Sequence, residues 1–131
     1  MRDAPSAYTV FSAKGATGAS NTIPVSDFNV ICIALHGDAT ADMTVKVCGS
    51  IADTAPTWTS AQSLTNSWDY VSCVDIEDNA VIAGDTGIVF SGADDRMLEV
   101  NVNALKHVAL RITTWTAGSL TAYIVPFSYD K

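Results

Sequence analysis

The feature that most constrains this fold is the alternation of side chains over residues 106–125. The apolar positions on one side of the pattern are Val108, Leu110 and Ile112 and, after a short turn, Leu120, Ala122 and Ile124. A period of two is the period of a half-buried β-strand. Gly118 supplies positive φ for the turn, and Pro126 is expected to end the second strand because proline cannot donate to a ladder. The pattern predicts a β-hairpin and an all-β protein.

Further segments with the same period or with short apolar runs predict about eight to ten strands in all. These segments are residues 7–11, 22–25, 43–49, 68–76, 80–83, 87–91 and 97–103. Acidic turns are predicted at residues 77–79 and 94–95. With no linker and no internal repeat, the chain is predicted to be one domain over residues 1–131, an antiparallel β-sandwich that is jelly-roll-like. Residues 1–6 form a polar N-terminal arm in this prediction.

One further segment, residues 28–35, is apolar on both faces. Phe28, Val30 and Cys32 alternate with Ile31 and Ile33. A strand of this kind is predicted to lie in the middle of a sheet with both of its faces covered.

Charge and hydropathy limit the classes of partner. Fourteen acidic residues against seven basic ones give a net charge of −7, which argues against binding to nucleic-acid phosphates. No segment approaches the roughly eighteen consecutive apolar residues of a membrane span, and no apolar segment follows Met1, so export by a signal peptide is not expected. Charged residues are only 16% of the chain and apolar residues 48%, so some of the surface is expected to be covered by a partner.

The three cysteines are widely spaced and form no CxxC motif, so no zinc site is predicted. Cys32 lies in an apolar run and is predicted to be a buried free thiol. Pairing of Cys48 with Cys32 or with Cys73 stays open as an alternative to reduced thiols.

No catalytic or metal-binding constellation is predicted. His36 and His107 have no GxSxG or catalytic-cysteine motif beside them. The acidic runs at residues 75–78 and 92–95 could ligate Ca²⁺, but they lack EF-hand spacing and are better explained as solvated turns. We therefore expect no enzyme activity, no cofactor and no metal.

Four aromatic residues allow three interpretations. Trp58, Trp68, Tyr70 and Trp115 could form a sugar-stacking platform, anchor a protein interface or pack in the core. Core packing is the favoured interpretation for Trp68 and Trp115. Trp58 lies in a polar loop and is the one most expected to contact a partner.

The order of these features resembles that of small β-sandwich proteins of tailed-bacteriophage virions, namely capsid decoration (cement) proteins and head–tail accessory proteins. The resemblance is carried by an alternating strand ending in Gly-Ser at residues 44–50, Pro56-Thr57-Trp58, Trp68-Asp69-Tyr70-Val71, residues 99–111 and the Gly118-Ser119-Leu120-Thr121 turn. It spans roughly residues 42–126.

This resemblance implies a non-enzymatic virion protein, assembled in the host cytoplasm, that binds capsomer junctions and stabilises the shell. Its partners would be the major capsid protein or other virion proteins, and it would form a homo-oligomer, with a trimer favoured. Residues 4–11 would add to a neighbour's sheet edge. The expected interface residues are then Tyr8, Val10, Phe11 and Trp58. The alternatives are a carbohydrate-binding β-sandwich module and a phage tail or receptor-binding accessory protein.

Overall fold

The computed structural model describes residues 2–3, 7–57 and 67–129, and within these ranges it contains β-strands and no helix. The strands are β1 (Arg2–Asp3), β2 (Tyr8–Lys14), β3 (Gly18–Ala19), β4 (Ile23–Pro24), β5 (Val30–Gly37), β6 (Asp42–Ser50), β7 (Asp69–Val71), β8 (Cys73–Asp75), β9 (Val81–Ile82), β10 (Ile88–Ser91), β11 (Asp94–Asn101), β12 (His107–Ala117) and β13 (Leu120–Tyr129). Nine of these strands are three residues or longer, which agrees with the predicted number.

The strands form two antiparallel sheets that pack face to face. The larger sheet has the order β1-β13-β5-β11-β8-β9, with β2 also paired to β13. The smaller sheet has the order β10-β6-β12-β3, with β4 also paired to β12 and β7 to β6. The side chains between the sheets form one hydrophobic core. The predicted antiparallel β-sandwich is confirmed.

The strands pair from the two ends of the chain inward. β2 pairs with β13, β3 and β4 pair with β12, β5 pairs with β11, and β6 pairs with β10. Nested antiparallel pairs divided between two sheets are also a feature of jelly rolls, the type of sandwich that the sequence predicts.

The alternation over residues 106–125 places its side chains as predicted, but the predicted hairpin is wrong. All six apolar positions of the pattern are fully buried. However, β12 pairs within the smaller sheet and β13 within the larger one, so the intervening turn carries the chain across the sandwich. Gly118 has φ +83° there, and a Cβ on it would lie 2.5 Å from Cα of Ala41. Alternation predicts which side chains face the core, but it does not specify the neighbouring strand.

Three further expectations about strands are corrected. Pro126 does not end β13, because a proline removes only one donor and pairing continues at Phe127 opposite Val30. Residues 68–76 form two strands in different sheets, β7 and β8, with Ser72 between them. The acidic pair Asp94-Asp95 begins β11 instead of forming a turn.

β5 lies in the middle of the larger sheet, between β13 and β11, as predicted. Its inner side chains, Ile31, Ile33 and Leu35, are buried against the smaller sheet. Its other face is only half-buried, so the cover predicted for that face is not supplied within the described residues.

Candidate functional site

The outer face of the larger sheet, which points away from the core, carries two rows of mostly apolar side chains. Strand register places Met97, Ala34 and Tyr123 side by side across β11, β5 and β13. The adjacent row runs across five strands through Val81, Val74, Glu99, Cys32 and Val125. We call these eight residues, together with Val30, the outer face.

Several of these apolar side chains are open to solvent. Val81 is 72% exposed, Met97 54% and Tyr123 42%, while the apolar residues of β5 between them are half-buried. Large exposed apolar patches are typical of interaction sites, so the outer face is the candidate binding surface.

Polar groups lie at the end of the outer face. His36 and Asp95 are directly opposite each other on β5 and β11, with Nδ1 of the histidine 2.5 Å from Oδ1 of the aspartate. Both side chains are exposed, and Thr121 continues the same row on β13. An apolar centre with a polar rim is the usual anatomy of a protein interface.

A groove of about 410 Å³ opens beside the outer face, where β7 leaves for the smaller sheet. Its walls come from the β7–β8 segment and from the end of β11 with the residues that follow it. The lining residues are Val71, Ser72, Cys73, Val74, Glu99, Asn101, Asn103, Ala104 and Leu105.

The predicted interface residues of the N-terminal strand lie in two environments. Tyr8 is exposed, whereas Val10 and Phe11 are buried in the chain's own core. Tyr123 pairs with Thr9 and Ala122 with Phe11, so Val10 is an extra residue in β2 and joins Phe11 inside. Trp58 lies outside the described residues. Contact of this strand with a partner stays a prediction, but the buried pair is not part of the surface.

The aromatic residues do not form one row. Trp68 is half-buried and donates from Nε1 to the carbonyl of Pro56 at 2.9 Å. Trp115 is 39% exposed and donates to the carbonyl of Gly118 at 3.0 Å, so the prediction that it packs in the core is wrong. A bulge after Ile112 sets Trp115 opposite Met43, and Trp115 is exposed there because it lies near the end of β12, next to the turn at Gly118.

Tyr70 packs against two cations on the outside of the smaller sheet. The Nζ atom of Lys46 lies 4.7 Å from its ring centroid, and Arg111 donates to its hydroxyl at 3.3 Å. These contacts hold the half-buried Tyr70 side chain against the sheet. An aromatic residue that stacks on a sugar would instead present an open ring face to solvent.

The three cysteines are free thiols. Cys32 is half-buried instead of fully buried, while Cys48 and Cys73 are buried. Burial raises the pKa of all three thiols, that of Cys48 to about 12. They are therefore protonated and unreactive at neutral pH.

The acidic run at residues 75–78 contains a structural ion pair. Arg96 donates to Oδ2 of Asp75 at 2.7 and 3.1 Å, and these bonds, followed by the N–H of Glu77, hold the pKa of that carboxyl below its ordinary value. Within residues 2–3, 7–57 and 67–129, no three His, Cys, Asp or Glu side chains converge as a metal site. Across the same ranges, no helix has the length and hydropathy to span a membrane.

Solved structures that share this fold include the following two. The crystal structure of SPBc2 prophage-derived protein YomS has a TM-score of 0.74 to this chain at 12% sequence identity, covering 98% of this chain and 96% of YomS. That of PBSX exported protein XepA also has a TM-score of 0.74, at 14% identity, covering 97% of this chain and 38% of XepA. No protein-family model and no curated protein sequence matches the chain. At these identities the likeness shows the fold.

Proposed function

We propose that this chain is a non-enzymatic bacteriophage protein that binds other virion proteins through the outer face. The observation that carries the proposal is the exposed apolar surface around Met97 and Tyr123, bordered by polar groups. Two phage-related proteins, YomS and XepA, share the fold, which supports a phage-related role.

In its most specific form the proposal is a capsid decoration protein at capsomer junctions. A protein that binds only the assembled shell stabilises the shell by its binding free energy, and many copies multiply a modest contribution per site. A trimer around a threefold junction would present the outer face three times. The partner is then the major capsid protein or a neighbouring virion protein.

The test is the composition of virions of the phage whose genome encodes this chain. Virions purified through a density gradient should contain the chain in many copies, as measured by quantitative mass spectrometry. Particles from a phage with the gene deleted should lose DNA at a lower temperature, and added purified protein should restore the original temperature.

Two results would count against the proposal. Absence of the chain from purified virions, with the chain abundant in the soluble lysate, would exclude a virion role. Presence in a few copies on tails, with no effect on heat stability of the head, would exclude shell decoration and favour a tail accessory role.

A further inference from the structure

We propose that the partner surface is apolar and carries an arginine side chain that enters the groove beside Glu99. The proposal rests on the proposed function, since it specifies the chemistry of the virion protein that covers the outer face. The groove, its acceptors and the charges around it carry the argument.

The groove exists because two strands of the larger sheet separate. The ladder between β8 and β11 comprises Leu98 opposite Asp75 and Glu99 opposite Val74, and it does not extend to Val100 and Cys73 or to Asn101 and Ser72. On the N-terminal side of Cys73, β7 pairs with β6 in the smaller sheet instead. The sheet is therefore open at this end.

One backbone carbonyl points into this opening. The N–H of Ile76 donates to the carbonyl of Met97 at 3.0 Å, whereas that of Val102 donates to the carbonyl of Asn29, next to β5. Successive residues of a strand direct their backbone polar groups to opposite neighbours. The carbonyl of Asn101 therefore points the same way as that of Met97, into the groove.

The groove adds a carboxylate to this carbonyl. Glu99 is exposed, lies directly beside the opening and forms no ion pair with any described residue. Arginine has five N–H donors in a planar fork, so it can bind a carboxylate and a backbone carbonyl together, which lysine does less well. The apolar side chains of the outer face on either side of Glu99 then contact the apolar residues that surround that arginine on the partner.

Charge disfavours a second copy of this chain as the occupant. Among the described residues, the outer face and its polar end carry Glu99 and Asp95 but neither lysine nor arginine. A facing copy would set these carboxylates against their own counterparts, because Arg96 is paired with Asp75 and Arg2 lies at the edge of the sheet on β1, and like charges across an interface are unfavourable. A virion protein with a basic residue in an apolar surface is complementary.

The experiment reloads virions that lack the chain with purified variants and measures affinity by co-sedimentation. We expect Glu99→Gln to weaken binding about tenfold and Met97→Lys to weaken it by at least about tenfold. The matched controls are Asp85→Asn, an exposed acid in a turn, and Val89→Lys, whose native side chain is 58% exposed on the smaller sheet. Both controls should bind like the unaltered protein.

A second measurement identifies the occupant. A benzoylphenylalanine at position 74, in the groove wall, should cross-link on virions to an arginine-containing segment of another virion protein. Cross-linking to a second copy, to a segment without arginine or to nothing would overturn the inference.

The two proposals fail differently. If the unaltered protein does not bind chain-free virions, the proposed function fails and the inference fails with it. If it binds, but Glu99→Gln and Met97→Lys bind equally well, only the inference is overturned.

Discussion

The carboxylate of Asp75 is buried at the end of β8 and accepts hydrogen bonds from three N–H groups. Two come from Arg96 and one from the backbone of Glu77 at 3.0 Å. Since these donors lower the pKa of Asp75 in the folded protein, its stabilising effect is present above the carboxyl's ordinary pKa, about 4. That effect is lost as the pH falls through the lower, folded-state pKa.

We expect Asp75→Asn to lower the free energy of unfolding by about 1–3 kcal/mol at neutral pH, because a charged acceptor is lost from a buried site. The difference from the unaltered protein should shrink as the pH falls below about 4. Urea unfolding over a pH series measures both effects, with Asp27→Asn as an exposed control. A difference that is constant with pH would contradict the role given to the carboxylate.

Leu110 and Arg111 are adjacent on β12 but point to opposite sides. Leu110 is fully buried in the core, so Leu110→Ala should cost about 2–5 kcal/mol. Arg111 is half-buried on the outside, where it contacts Tyr70, so Arg111→Ala should cost less. Thermal unfolding of both variants checks the order, and an equal loss would show that the outer contact matters as much as the core.

At the scale of the strands, periodicity was sufficient to predict faces but not neighbours. The buried positions of β11, β12 and β13 follow the predicted alternation. The chain passes from one sheet to the other at Ser72 and again between β12 and β13. Both changes of sheet depend on contacts between residues far apart in the sequence, which a local pattern does not show. Bulges have the same effect, since one extra residue reverses every face after it.

The N-terminal strand provides a test at this scale. β2 covers one edge of β13 and contributes Val10 and Phe11 to the core. Removing residues 1–11 should therefore cost more than about 3 kcal/mol, as expected when large core side chains are lost. Removing residues 1–6 should cost much less. If both truncated proteins unfold at the same temperature, β2 does not contribute to the core as the structure indicates.

For the molecule as a whole, the candidate site was only partly predictable. The two apolar faces of residues 28–35 indicated that something must cover the outside of the central strand, and the structure places that surface beside Met97 and Tyr123. The sequence did not indicate the groove, because its walls come from segments about thirty residues apart that meet where the sheet opens. Val10 and Phe11, which the resemblance implied as interface residues, are buried at a bulge of β2, and a bulge depends on the pairing with β13, which the local pattern does not specify.

Substitutions on the inner side of the larger sheet should therefore change stability, and substitutions on its outer side should change binding. Met97 and Leu98 are neighbours on β11, but the first is 54% exposed and the second is fully buried. We expect Met97→Lys to change the free energy of unfolding by no more than about 0.5 kcal/mol, and Leu98→Ala to reduce it by about 2–5 kcal/mol. Urea unfolding gives both values, and the fluorescence of a dye that binds apolar surface should decrease only in Met97→Lys. A large loss of stability in Met97→Lys would mean that the outer side chains support the fold itself. An unchanged stability with a weaker dye signal would mean that this apolar surface is free for a partner.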